Sequence, residues 1–282
     1  MNSVSSGGAD QMFSLIHDLP AQLAASGGLL GLDEVVPPAG GFSRILLCGM
    51  GGSAISGDLV QSLIQHQPVP LDVWRDYGLP HWVDDRCLVI TASYSGQTEE
   101  ALSALDEARR RGCPLVGLTS GGRLAAEAGG QSGDPFPCVI LPGGLPPRAA
   151  IGYGLGSLVR VLGKLGLVKN AGGEIREAVR VLKELDSARL LAESQPNESE
   201  LIDDPAGMIS VRALAARLSG AIPVIYTVGL ESHGAGVRLK GQINENSKCP
   251  ACLGVFPELN HNDLVGWELP EHFQDRFVLL IL

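Results

Sequence analysis

Five short apolar runs punctuate the first half of the chain, at residues 45–48, 71–74, 87–91, 115–118 and 138–141. They show little alternation of apolar and polar positions, the pattern of strands buried on both faces of a parallel sheet. Helical spacing follows the first run, over 54–65, and the third, over 99–111. Strand–helix alternation of this kind predicts a parallel sheet with helices on both sides. Beyond Arg148 the pattern turns helical, over 149–168, 174–193 and 205–218; in the second of these Ile175, Val179, Leu182 and Leu185 recur at three- and four-residue spacing. The polar, acidic stretch 193–204 reads as a linker or loop. A second α/β block then begins: a strand at 224–228, a loop at 229–234, a helix at 235–246, a strand at 253–256, a loop at 258–263 and a last strand at 277–282. The first ten residues read as disordered. The expected organisation is two α/β units of similar style, 1–168 and 169–282.

Composition narrows the chemistry. The 282 residues are 45% apolar, enough for a substantial core, and carry a net charge of −10. That charge argues against a nucleic-acid surface, which needs Lys and Arg. It leaves room for a small phosphorylated ligand, which helix N-terminal N–H groups and hydroxyls can hold. No Lys or Arg precedes Arg44, so the basic region of a signal peptide is missing, and no apolar run approaches the roughly 20 residues of a membrane helix. Four of six cysteines lie in or beside apolar runs, as small hydrophobes do. The expectation is a soluble protein of a reducing compartment, the cytoplasm. Cys249-Pro250-Ala251-Cys252 follows a predicted helix, where a thiol redox motif would precede one, and two further zinc ligands at matching spacing are missing. No metal and no cofactor are expected.

Two loops fall at strand carboxyl ends, where open α/β sheets bind ligands. The first, Cys48-Gly49-Met50-Gly51-Gly52-Ser53-Ala54, satisfies the G-x-G-x-x-G/A dinucleotide fingerprint, with Asp72 and Asp76 about where a ribose-binding acid stands. A nicotinamide-dependent dehydrogenase is therefore one reading, and a turn that only lets strand and helix pack is another. The second loop weighs against the dinucleotide. Ser93, Ser95 and Thr98 surround Gly96, and Glu99 and Glu100 open a helix. Thr98 as an N-cap with ordinary turn serines accounts for one hydroxyl better than for three. Three hydroxyls beside free helix N–H groups suit the terminal oxygens of a phosphate monoester.

The pairing of GMGGSAISGD with ITASYSGQTEEA resembles the sugar isomerase (SIS) fold family. Three further motifs occur in order: Arg75-Asp76-Tyr77-Gly78-Leu79-Pro80, then Pro147-Arg148-Ala149-Ala150, then Gln242-Ile243-Asn244-Glu245-Asn246 with Pro257-Glu258-Leu259-Asn260-His261-Asn262. Together they resemble the bifunctional phosphoglucose/phosphomannose isomerases, from about Leu46 to the end of the sequence. The resemblance implies two SIS-type, flavodoxin-like αβα units with parallel sheets, the second without its C-terminal helix here. That helix carries a lysine of the active site, so the sequence departs from the family pattern there. The implied activity is aldose–ketose interconversion of hexose 6-phosphates, without a metal, through ring opening and an enediolate. The implied base is Glu245, which suits proton abstraction when burial raises its pKa. His261 is the implied ring-opening acid/base, Arg148 the group beside the enediolate oxygens, and Gly52, Ser53, Ser93, Ser95 and Thr98 the phosphate site. A homodimer is implied, with shared active sites that the histidine enters from the neighbouring subunit. A non-catalytic SIS module that senses sugar phosphates is the alternative; it would need neither Glu245 nor His261.

Overall fold

The computed structural model describes residues 12, 14–185, 211–268, 270, 273 and 275–282. The expectations for residues 1–10, for the 193–204 linker and for the helical stretches 186–193 and 205–210 lie outside the described residues. Close contacts divide the chain into two units, Met1–Val181 and Leu182–Leu282.

In the first unit the five apolar runs become β1 (Arg44–Gly49), β2 (Leu71–Trp74), β3 (Cys87–Ala92), β4 (Leu115–Thr119) and β5 (Cys138–Ile140). All pair in parallel, in the order β2-β1-β3-β4-β5. Every residue of β3 is buried, as its unbroken apolar pattern requires. The helices are α1 (Leu19–Ala25), α2 (Gly51–Ile64), α3 (Glu99–Arg110), α4 (Gly122–Ala128), α5 (Ile151–Lys164) and α6 (Ala171–Glu184). On α3, Ala101, Leu102, Ala104, Leu105 and Ala108 form the buried stripe, and acidic residues open and arginines close the helix, as its dipole favours. The strand order reverses between β1 and β3. Both glycine/hydroxyl loops leave the sheet there, at the switch point where such sheets bind ligands.

Local structure departs from the sequence pattern at α4, which the pattern does not announce because seven residues are too few to establish a period. The expected helix 149–168 opens with a 3-10 turn, Pro147–Ala149, before α5. The sequence places a unit boundary at 168/169, whereas contacts keep α6 up to Val181 with the first unit. Ala171 packs beside Gly163 of α5, and Ile175 is buried.

The second unit contains α7 (Val211–Leu218), β6 (Ile222–Val228), α8 (Gly229–Gln242), β7 (Cys252–Phe256) and β8 (Phe277–Ile281). Among the described residues its three strands are parallel, in the order β7-β6-β8. Residues 229–234, expected as a loop, form the first turns of α8. Gly234, which closed the expected loop, is buried within the helix. The expected loop 258–263 is occupied by a 3-10 turn, Glu258–His261, and the start of a second, Asp263–Trp267. Among the described residues no helix is long and apolar enough to cross a membrane.

Candidate active site

The hydroxyl loop begins where β3 ends. Ser93 is buried, and its Oγ lies 2.8 Å from Thr98 Oγ1 and accepts a 3.4 Å bond from the Thr98 N–H. The Gly96 N–H donates to Ser93 O at 3.0 Å, and the Gln97 N–H donates to Ser95 Oγ at 3.2 Å. Gly96 has φ +66°, and a Cβ there would sit 1.8 Å from Gly121 O, so only glycine closes this turn. Thr98 occupies the N-cap position of α3, but its side chain makes no cap bond; it bonds Ser93 instead. The first-turn amides of α3 thus lack a side-chain cap, which leaves them for a ligand or water.

The glycine loop lies alongside. The Tyr94 N–H donates to Ser53 Oγ at 3.2 Å, which ties the start of α2 to the hydroxyl loop. A Cβ on Gly52 would lie 3.2 Å from Pro147 O and 3.8 Å from Arg148 Cα, so the Pro147–Arg148 turn rests on the start of α2. Gly52, Ser53 and Arg148 are thereby brought together, next to the loop of Ser93, Ser95 and Thr98. Arg148 Nε is buried and has no hydrogen-bond partner. A buried guanidinium N–H without an acceptor is costly, and an anion in front of it would remove that cost. The first turn of α2 carries no acidic side chain, whereas α3 opens with Glu99 and Glu100. On dipole grounds α2 is therefore the more favourable N-terminus for a phosphate. The acids considered for a ribose have other partners: Asp72 faces Arg44 at 3.8 Å, and Asp76 Oδ1 accepts the Tyr77 N–H at 2.7 Å.

Glu245 and His261 belong to the second unit. Glu245 lies in a π-helical turn, Ile243–Ser247, that follows α8, and such turns recur at functional sites. Its neighbour Asn244, a poor helix former, accepts the Ala251 N–H on Oδ1 at 3.0 Å and holds the turn against the following chain. Lys248 ends the turn with φ 55°, and its Nζ donates to Glu245 O at 2.6 Å. The Glu245 side chain is exposed in this unit, so the burial expected around a catalytic base is not supplied there. His261 closes the turn Glu258–His261, is exposed, and is followed by Asn262, whose Oδ1 accepts the Asp263 N–H at 2.6 Å. The turn is anchored by Leu259, which is buried. Cys249 and Cys252 are free, and among the described residues no three His, Cys, Asp or Glu side chains are grouped to hold a metal ion.

Comparison with known proteins decides the family. The chain is 36% identical over 272 residues to a bifunctional phosphoglucose/phosphomannose isomerase from Caldicellulosiruptor bescii, covering 96% of this chain and 76% of that one. It is also 36% identical over 244 residues to the protein of the same name from Aquifex aeolicus, covering 86% and 67%. The chain belongs to this isomerase family. Residues 210–282 match a family model described as bacterial phospho-glucose isomerase C-terminal SIS domain. Among solved structures, tagatose-6-phosphate ketose/aldose isomerase from Escherichia coli superposes with a TM-score of 0.64 at 15% identity, over 96% of this chain and 72% of that one. At that identity the likeness speaks to the fold, and it agrees with the two parallel-sheet SIS-type units expected from the sequence.

Within this isomerase two residues that sequence reasoning passed over hold the arginine turn. Gln22 of α1 is buried; its Nε2 donates to Ala149 O at 2.9 Å, and its Oε1 accepts the Gly152 N–H at 3.1 Å. Tyr94, flanked by two serines of the hydroxyl loop, bonds through its phenol to the chain that leads to Arg148. The only sequence signals were a glutamine on a short helix and an aromatic residue between serines.

Proposed function

We propose that the chain binds the phosphate of a hexose 6-phosphate on Gly52, Ser53, Ser93, Ser95 and Thr98 and isomerises the sugar with Glu245, His261 and Arg148. As a member of its family it is an enzyme of aldose–ketose isomerisation of hexose phosphates, here glucose or mannose 6-phosphate and fructose 6-phosphate. The observation that supports the anion site best is the unpartnered, buried Nε of Arg148 beside two loops at the carboxyl ends of β1 and β3.

In this scheme His261 moves a proton between the ring oxygen and the anomeric hydroxyl, which opens the ring. Glu245 takes the C2 proton of the aldose and returns it to C1, while the C1 carbonyl oxygen is protonated and the C2 hydroxyl proton is lost. Arg148 offsets the negative charge that develops on the enediolate oxygens between these steps. Phosphate contacts far from C1 and C2 supply binding energy that holds those atoms in place. The assembly in this scheme is a homodimer that shares its sites through His261. Four buried free thiols, with burial pushing those of Cys87 and Cys138 up to about 12, suit a reducing compartment and the cytoplasm.

The test is to incubate the protein with fructose 6-phosphate, with and without NAD, and to follow glucose 6-phosphate and mannose 6-phosphate separately. Product formed without NAD is the expected result. Saturable sugar-phosphate binding without turnover would replace the isomerase with the sensing module.

A further inference from the structure

The phenol of Tyr94 donates to Pro142 O at 2.7 Å and accepts the Leu145 N–H at 3.1 Å. It thus bridges both ends of a four-residue stretch whose middle is Gly143-Gly144, the most pliant part of the connection from β5 to α5. On the far side of the bridge come Pro146 and Pro147, whose rings fix φ, and then Arg148. A shift at Leu145 is passed on by this pair of prolines, with few torsions available to absorb it. The main chain of Tyr94 is held independently of the phenol. Its N–H donates to Ser53 Oγ, and its carbonyl accepts the Ser120 N–H at 3.0 Å and the Ser120 hydroxyl at 2.6 Å.

We propose that Tyr94 is a positioning residue for Arg148, its phenol holding the 142–145 stretch so that the guanidinium meets the reacting oxygens. This rests on the role given to Arg148 under Proposed function. Because the backbone of the hydroxyl loop has its own anchors, loss of the phenol oxygen leaves phosphate binding intact and misplaces only the arginine. Its signature is a fall in kcat with KM preserved.

The full chain is compared with Tyr94→Phe, Arg148→Ala and the double variant, measuring kcat and KM for fructose 6-phosphate and the melting temperature of each. Tyr94→Phe should lower kcat about tenfold and leave KM within about twofold. In the Arg148→Ala background the same change should cost nothing further, because the group that Tyr94 acts through is gone. Unchanged kcat in Tyr94→Phe, a loss carried by KM, or losses that multiply in the double variant would each overturn the inference while leaving Arg148 in its role. Full kcat in Arg148→Ala alone would instead remove the role of Arg148 on which the inference stands. If Tyr94→Phe gives no cooperative melt, Leu145→Pro removes the other end of the bridge and should show the same loss confined to kcat. A folded Leu145→Pro with unchanged kcat would end the idea by itself.

Discussion

Glu245 and His261 stand at opposite ends of β7: the π-helical turn of Glu245 precedes the strand, and the 3-10 turn of His261 follows it. The reason is topological. β6 and β7 are parallel, so α8 must run back along the sheet and deliver Glu245 to the amino end of β7. The strand itself, five residues, accounts for about 16 Å of extended chain between the two turns. If both groups serve one reaction centre, a histidine from a second subunit meets this requirement directly. Glu245→Gln and His261→Ala homodimers should each be nearly inactive. Co-refolded at equal amounts, half the dimers are mixed and each has one intact site of two, so about one quarter of full activity returns. Activity that stays at the level of the separate variants, with mixed dimers demonstrated, would show that both residues act within one subunit's site.

Phosphate anchoring should depend on hydroxyls. Ser95→Ala with Thr98→Ala removes the exposed hydroxyl of the loop and the one that bonds Ser93. KM for fructose 6-phosphate should rise at least about tenfold. A correctly folded double variant with the parent KM would move the phosphate site elsewhere.

Acid should weaken the first unit at a known place. The Glu127 carboxyl is buried and bonds Arg109 Nη1 at 2.5 Å, with Ser132 and Arg123 as further partners. The Arg109 bond chiefly, with help from Ser132 and Arg123, holds its pKa below the ordinary 4.5, against the opposing effect of burial. The unfolded chain therefore takes up the proton first as pH falls. The stabilisation is complete above the ordinary value and fades as pH drops through the folded-state value. Glu127→Gln should lower stability by about 2 kcal/mol at neutral pH. The gap between variant and parent melting temperatures should close towards pH 3; a gap that is constant with pH would mean the carboxylate charge is not what stabilises α4.

Turnover should survive chelation. The proposed chemistry uses a carboxylate, an imidazole and a guanidinium, and EDTA should leave the initial rate with fructose 6-phosphate unchanged. A rate abolished by EDTA and restored by zinc would direct attention to Cys249 and Cys252.

Long apolar runs made the first sheet legible, since strands such as β3, buried on both faces, have no polar positions to blur them. Ser93, Ser95 and Thr98 could be placed at a strand end for the same reason. The short helix α4 and the start of α8 were not legible: α4 has too few residues, and the first turns of α8 carry glycines that read locally as a loop. The partner of Thr98 was also hidden, because capping propensity does not tell which of two nearby acceptors or donors a hydroxyl selects. Gln22 and Tyr94 act on backbone groups far along the chain, and no local pattern encodes such bonds.

The bond from Gln22 to Ala149 spans 127 residues. During synthesis α1 emerges early and must wait for its acceptor. At about 5–20 residues per second this interval lasts roughly 6–25 s, during which the whole of the first sheet is made. The arginine turn is therefore completed only after the first sheet has been made, by an element that left the ribosome well before it, and the nascent first unit holds both glycine/hydroxyl loops before it holds Arg148 in place.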